Sequence, residues 1–421
     1  MGYPGSRFPA MNAYAQLILA ALVLEFLVDL VGNLLNLRAL DPELPAEFSG
    51  LYDAERYARS QRYTRERTRF GLVRGALGLA VTLAFWFAGG FPWVDGLARD
   101  LGLGPVGTGL AFLGLLSVGM KVLSLPFQLW STFVIEERYG FNRTDARTFV
   151  VDQLKGLLLG VVLGGALMGA VLWFFETAGS EAWLWCWATA AAFSLFGAFL
   201  APTWILPLFN RFEPLEEGSL RERILTYSRS VSFPVDGLFV IDGSKRSSRA
   251  NAFFTGLGKT KRIALFDTLV EQHTEDELVA VVAHEVGHYK KGHVLQGLAV
   301  GLIHLGVLFW LLGHFLDSPG LFEAFGVAEP SAHAGLVFFG MLFTPIELVL
   351  SVAMSAFSRR NEFQADAFAA ETTGRPEDLV AALKKLSSEN LSNLTPHPFQ
   401  VWLRYSHPPV LARIEALRAR A

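Results

Sequence analysis

Seven apolar runs, each long enough to cross a bilayer, constrain this chain more than any other feature of its sequence. They occupy residues 13–37, 70–91, 108–135, 154–175, 183–209, 294–315 and 334–357. About 20 apolar residues span a hydrocarbon core as a helix, and inside lipid every backbone polar group must find its partner within the protein. Runs this long and continuous therefore predict seven transmembrane helices. A mean hydropathy of +0.36, with 52% hydrophobic and 18% charged residues, is too apolar for a water-soluble chain of 421 residues. The first run is not a cleavable signal peptide, being too long and lacking both a basic start and a small-residue cleavage site. The only cysteine, Cys186, lies inside the fifth run, which excludes a disulfide framework and a thiolate metal site. No basic patch with interleaved aromatics is present, so nucleic acid is not an expected partner.

Charges between the runs set a topology. The first connection carries Arg56, Arg59, Arg62, Arg65, Arg67 and Arg69, and the third carries Arg138, Arg143 and Arg147. The second has only Arg99, while the fourth and sixth have no basic residue. By the positive-inside rule the N-terminus lies outside, and the long segment at 210–293 and the tail after residue 357 are cytosolic. The chain divides accordingly into spans one to five (1–209), a cytosolic subdomain (210–293), spans six and seven (294–357) and a cytosolic tail (358–421). The subdomain reads as a small α/β unit. Residues 215–231 are helical in pattern, 237–241 and 262–266 are strand-like, 252–255 lies between them, and Gly256-Leu257-Gly258 is a turn.

The subdomain ends in His284-Glu285-Val286-Gly287-His288. On a helix, histidines four apart lie one turn apart on one face, close enough to share a zinc ion with a carboxylate beside it. The helix is well marked: Thr274 and Glu277 form a capping box, Glu275 and Asp276 suit the N-terminal dipole, and Lys290, Lys291 and Gly292 mark the end. Glu285, offset by about 100° from His284, flanks the metal and can take a proton from water. A catalytic zinc needs a third protein ligand. His293 is expected to point elsewhere on the helix, His304 and His314 fall inside the sixth run, and His333 lies on its far side. Glu362 is the best candidate, and helical spacing puts Asp366 on its face, placed to accept a hydrogen bond from the outer nitrogen of a ligand histidine. Glu25, Asp29, Asn33 and Asn36 form a polar stripe on the first span that must face the bundle interior or water.

Six stretches together resemble the type I CAAX prenyl proteases, integral-membrane zinc metalloproteases of the gluzincin type. They are Glu136-Glu137-Arg138-Tyr139-Gly140-Phe141-Asn142, Pro202-Thr203-Trp204-Ile205-Leu206-Pro207-Leu208-Phe209-Asn210, Asn251-Ala252-Phe253-Phe254, His284 to His288, Asn361 to Asp366, and Tyr405-Ser406-His407-Pro408-Pro409. The resemblance implies a mostly α polytopic fold, with seven helices around a water-filled chamber and a zinc-protease subdomain with a small β-sheet. It implies one zinc ion held by His284, His288 and Glu362, and Glu285 as general base. His407 matches a histidine thought to stabilise the oxyanion, and Asn251, Ala252 and Phe253 resemble an edge strand that holds substrate backbone. The implied partners are peptide or protein substrates and the bilayer. Eukaryotic members act on prenylated C-terminal Cys-a-a-X sequences. The arginine-rich, lysine-poor composition looks like that of a GC-rich prokaryote, which makes a bacterial inner membrane the expected location. Broad-specificity quality control of membrane proteins would use the same chemistry. A non-proteolytic zinc scaffold or transporter fits less well, because a structural site has no need of Glu285 and would close its fourth position.

Overall fold

The computed structural model describes residues 11–420, apart from 234 and 256–261. Seven helices are long and apolar enough to cross a membrane: Ala13–Arg38, Ala54–Phe87, Gly104–Glu136, Ala146–Thr177, Gly179–Phe209, His293–Phe315 and Ala332–Thr373. They bury little apolar surface within the chain; Ile303 is 67% and Val349 69% exposed. In water such exposure would cost about 25 cal/mol per Å², whereas hydrocarbon covers it without penalty.

Several helices run well past their apolar runs. The second starts at Ala54, capped by Asp53, whose side chain accepts from the Arg56 amide at 2.6 Å. Arg56 to Arg69 therefore lie on helical turns and not in a loop. Arg and Glu are good helix formers, so a hydropathy limit marks where the apolar run stops and not where the helix does. The seventh helix shows the same effect on a larger scale, continuing for 42 residues through the 357/358 junction.

Two large, separate cores result, beside a small cluster around Tyr63, Ile135 and Phe141. One, at the end of the bundle remote from the motif helix, is aromatic. Trp86, Phe91, Phe112, Phe322, Phe325 and Phe338 are buried there, with the Phe325 and Phe338 rings stacked at 3.9 Å. The other joins the subdomain to the tail through Ile224, Phe233, Ile263, Val282, Val286, Val380 and Ile414.

The subdomain holds a four-stranded sheet in the order β1-β2-β4-β3, built from β1 (Phe212–Pro214), β2 (Gly237–Ile241), β3 (Ala252–Thr255) and β4 (Arg262–Phe266). β2 and β4 are parallel, while β1 and β3 pair antiparallel on either side, which leaves β3 at an edge. Sequence periodicity had not marked β1. It is three residues long and ends in Pro214, too brief to alternate and tolerable only at an edge. The helix after it runs from Ser219 to Ser230 and so begins four residues later than the pattern suggests. The expected turn at Gly256-Leu257-Gly258 lies outside the described residues.

The motif helix spans Glu275–Lys290. Its capping box is formed: the Glu277 amide donates to Thr274 Oγ1 at 3.3 Å, and Glu277 Oε2 accepts from the Thr274 amide at 2.9 Å. Gly292, at φ +72°, stops it in a left-handed conformation that costs glycine little.

Candidate active site

The site forms where the motif helix meets the far end of the seventh helix. A Cβ at Gly287 would lie 3.0 Å from the backbone of Ala365. Glycine inside the motif and alanine opposite it thus let the two helices approach closely. This contact brings the motif histidines against Glu362.

His284 Nε2 and His288 Nε2 are 3.2 Å apart. Glu362 Oε2 lies 3.5 Å from the first, and Glu362 Oε1 lies 3.3 Å from the second. One ligand atom from each residue falls within 4.8 Å of the others, and among the described residues this is the one group of three with metal-binding geometry. Glu362 is buried, and its Oε2 has no hydrogen-bond partner. An orphaned carboxylate oxygen facing two imidazole nitrogens suits a divalent cation taking N and O donors, and zinc fits that donor set.

Supporting groups fix the tautomers. His284 Nδ1 is 2.8 Å from Asp366 Oδ1, so Nδ1 carries the proton and Nε2 presents a lone pair to the centre. Asp366 is itself clamped by Arg413, which donates from Nε to Oδ2 at 2.8 Å and from Nη2 to Oδ1 at 2.6 Å. Arg413 also lies 3.5 Å from Glu362 Oε2. Nothing in the sequence motifs pointed to Arg413. The available signal was a charge beside Ile414 and four before Leu417, both buried on the last helix, Val410–Arg418.

His293 overturns an expectation. It does not continue the motif helix; Gly292 turns the chain, His293 opens the sixth spanning helix, and its ring comes back to His288. His293 Nδ1 is 3.0 Å from His288 Nδ1, and His293 Nε2 is 3.0 Å from Gln364 Oε1. One proton assignment satisfies both contacts. Gln364 Oε1 can only accept, so His293 donates from Nε2 and accepts at Nδ1 from His288. That leaves His288 Nε2 free toward Glu362.

The protein groups alone leave the centre short of positive charge. Burial disfavours the charged form of His284, yet Asp366 and Glu362 outweigh it and lift the imidazole to about 9. Burial raises the Glu285 carboxyl above its usual range, with His284 and His288 opposing the rise. Glu285 stays partly exposed beside the cluster.

His407 joins from the tail. Its Nε2 lies 3.4 Å from Glu362 Oε1 while its side chain remains 65% exposed. Arg359 holds this segment by donating from Nη1 to the Tyr405 carbonyl at 2.6 Å and to the Val401 carbonyl at 3.0 Å. A cavity of about 1020 Å³ opens from His407 and Arg413 toward Asn251, Asn33 and Asn36. Asn251 enters β3 from that cavity, and Ala252 and Phe253 follow along an edge that no strand among the described residues pairs with. The polar stripe of the first span therefore splits. Asn33 and Asn36 face the cavity, whereas Asp29 accepts from Arg404 Nε at 2.8 Å and Glu25 lies 3.9 Å from Arg404. The remaining histidines considered as ligands lie elsewhere: His304 pairs with Glu347 and His333 with Asp95.

Comparison with known proteins shows the family. Residues 33–211 match the model of a CAAX prenyl protease N-terminal region with five membrane helices, and residues 214–421 match peptidase family M48. A CAAX prenyl protease 1 homolog of Oryza sativa subsp. japonica is 36% identical, over 96% of this chain and 97% of the relative. CAAX prenyl protease 1 of Saccharomyces cerevisiae is 33% identical over 90% and 89%. The crystal structure of S. mikatae Ste24p superposes with a TM-score of 0.90 at 32% identity, covering 97% of this chain and 99% of that one.

Proposed function

Because the chain belongs to the CAAX prenyl protease family of integral-membrane zinc metalloproteases, we propose that His284, His288 and Glu362 hold its zinc, with Glu285 as general base. The convergence of these three ligand atoms within 4.8 Å is the observation that carries the reading. Zinc held there supplies the Lewis acidity that activates water and polarises a scissile carbonyl. The chain's own residues do the rest. Glu285 accepts the proton of the attacking water and returns it to the leaving amine. His407, exposed beside Glu362, donates to the oxygen on which charge develops. The free edge of β3 from Asn251 through Phe253 receives the substrate backbone as an added strand. Asp366 and His293 keep the two histidines in the tautomers that ligation requires.

The substrate class follows the family: a peptide or protein whose C-terminal region enters the cavity, with prenylated Cys-a-a-X ends among the substrates to be tried. The arginine distribution supports an outside N-terminus, a cytosolic site and, with the composition, a bacterial inner membrane. The deciding experiment loads the purified protein with zinc in lipid nanodiscs and follows cleavage of a quenched fluorescent peptide. Activity is expected to vanish on chelation and return with stoichiometric zinc. It should fall about 10²–10⁴-fold in Glu285→Gln, with zinc content unchanged. A Glu285→Gln protein that cleaves at the normal rate sinks the mechanism. A reporter fused after Ala421 that is active only outside the cell sinks the topology.

A further inference from the structure

The cavity that carries His407 at one end has an unusual charge balance elsewhere on its wall. Three arginines line it, Arg67, Arg249 and Arg413, and among the described residues no aspartate or glutamate does. Arg413 is committed to Asp366 and Glu362. The other two converge on Tyr63, whose hydroxyl receives both Arg67 Nη1, at 3.1 Å, and Arg249 Nη2. A single carboxylate stands behind them. Glu136 bonds Arg249 at 2.9 Å and accepts from Tyr63 at 2.7 Å, but lies 3.9 Å from Arg67. Two guanidiniums thus share one carboxylate that does not line the cavity, and Arg67, whose side chain is 52% exposed, keeps most of its donors unused.

Position matters as much as charge. Arg249 is two residues upstream of Asn251, so at most about 7 Å of extended chain separates it from the start of the β3 edge. A peptide laid along that edge toward Arg249 reaches the arginines within a few residues of the reacting carbonyl. Facing this end are Tyr63, Thr64, Thr68 and Asn390, all neutral donors or acceptors.

We propose that Arg67 and Arg249, held side by side by the Tyr63 hydroxyl that accepts from both, form a subsite for the free C-terminal carboxylate of the peptide substrate. The subsite sets the distance from the chain end at which hydrolysis occurs. This rests on the protease reading above and deepens it, because a free α-carboxylate is the one anion that every unmodified peptide end carries. Guanidiniums suit it through paired N–H donors. Losing a charge-assisted bond of this kind lowers affinity about 10–100-fold.

The test measures binding and not turnover, so that it stands apart from catalysis. Zinc-loaded Glu285→Gln in nanodiscs is titrated with two fluorescent peptides of one sequence, ending in a free acid or in an amide. The acid should bind at least about tenfold more tightly. Adding Arg67→Gln should abolish the difference by weakening the acid alone, and Arg67→Lys should restore part of it. Equal affinity for the two peptides, no binding of either, or an equal loss of both in Arg67→Gln overturns the subsite. Nanodiscs of neutral lipid and nanodiscs containing an anionic phospholipid separate peptide carboxylate from lipid phosphate as the occupant. The acid preference should be the same in both, and its disappearance in anionic lipid would assign the arginines to headgroups. Failure of the wild-type protein to cleave any peptide would refute the proposed function without touching these affinities.

Discussion

Two buried histidine–aspartate pairs sit at opposite ends of the seventh helix, and only one of them borders the proposed zinc site. Near its start, His333 Nε2 lies 2.7 Å from Asp95 Oδ1, and Asp95 also accepts from Arg99 Nε at 2.7 Å. Near its other end, Asp366 pairs with His284 at 2.8 Å and accepts from Arg413. The local chemistry is nearly identical, yet the surroundings differ. His333 uses one nitrogen for both Asp95 and Ser331, and its ring lies 5.0 Å from that of Phe112 in the aromatic core. His284 turns its second nitrogen toward His288 and Glu362. A histidine–carboxylate pair is a fastening until its free nitrogen faces other ligands and a cavity.

Substitutions should split along that line. Glu362→Ala removes a proposed ligand and should abolish both stoichiometric zinc and activity; full zinc in this variant would mean that another residue completes the centre. His407→Phe should lower kcat about 10²–10³-fold, with a smaller change in KM and normal zinc content. A normal kcat with a lowered Tm would make His407 a packing residue. Asp366→Asn should weaken zinc about 10–100-fold in competition with a chelator, and His293→Ala should act in the same direction through His288.

The distal pair should give the smallest effect, and on a different readout. Asp95→Asn should cost about 1–3 kcal/mol of stability and leave kcat unchanged in the folded protein. Burial raises the Asp95 carboxyl, but hydrogen bonds from His333 and Arg99 outweigh this and hold it below its ordinary value. The stabilisation is therefore present above the unfolded carboxylate pKa of about 3.9 and is lost as pH falls through the lower folded value. Wild-type Tm should drop more steeply in that window than the Tm of Asp95→Asn. Parallel profiles would show that the pair contributes nothing to acid sensitivity.

What could be read in the sequence was local. The His284/His288 spacing, the Thr274–Glu277 box and the Glu362/Asp366 spacing each lie within one helix, where 3.6-residue periodicity fixes relative direction. Arg413 and His293 could not be read that way. One reaches the site only through tertiary packing of the last helix, and the other through a reversal at Gly292 that reorients the residue after it. The second spanning helix was bounded too late for a related reason: hydropathy reports contact with lipid, and arginine-rich turns remain helical outside it.

The unbroken helix Ala332–Thr373 also works as a ruler. From His333 to Glu362 is 29 residues of the 42-residue helix, about 44 Å at 1.5 Å per residue. The hydrocarbon layer is only about 30 Å thick, and about 40–45 Å with its headgroups. Were the helix upright with His333 at one membrane face, Glu362 would stand at the level of the opposite headgroups, clear of the oil. A zinc centre at that height would draw its water from the interfacial layer and not from within the hydrocarbon.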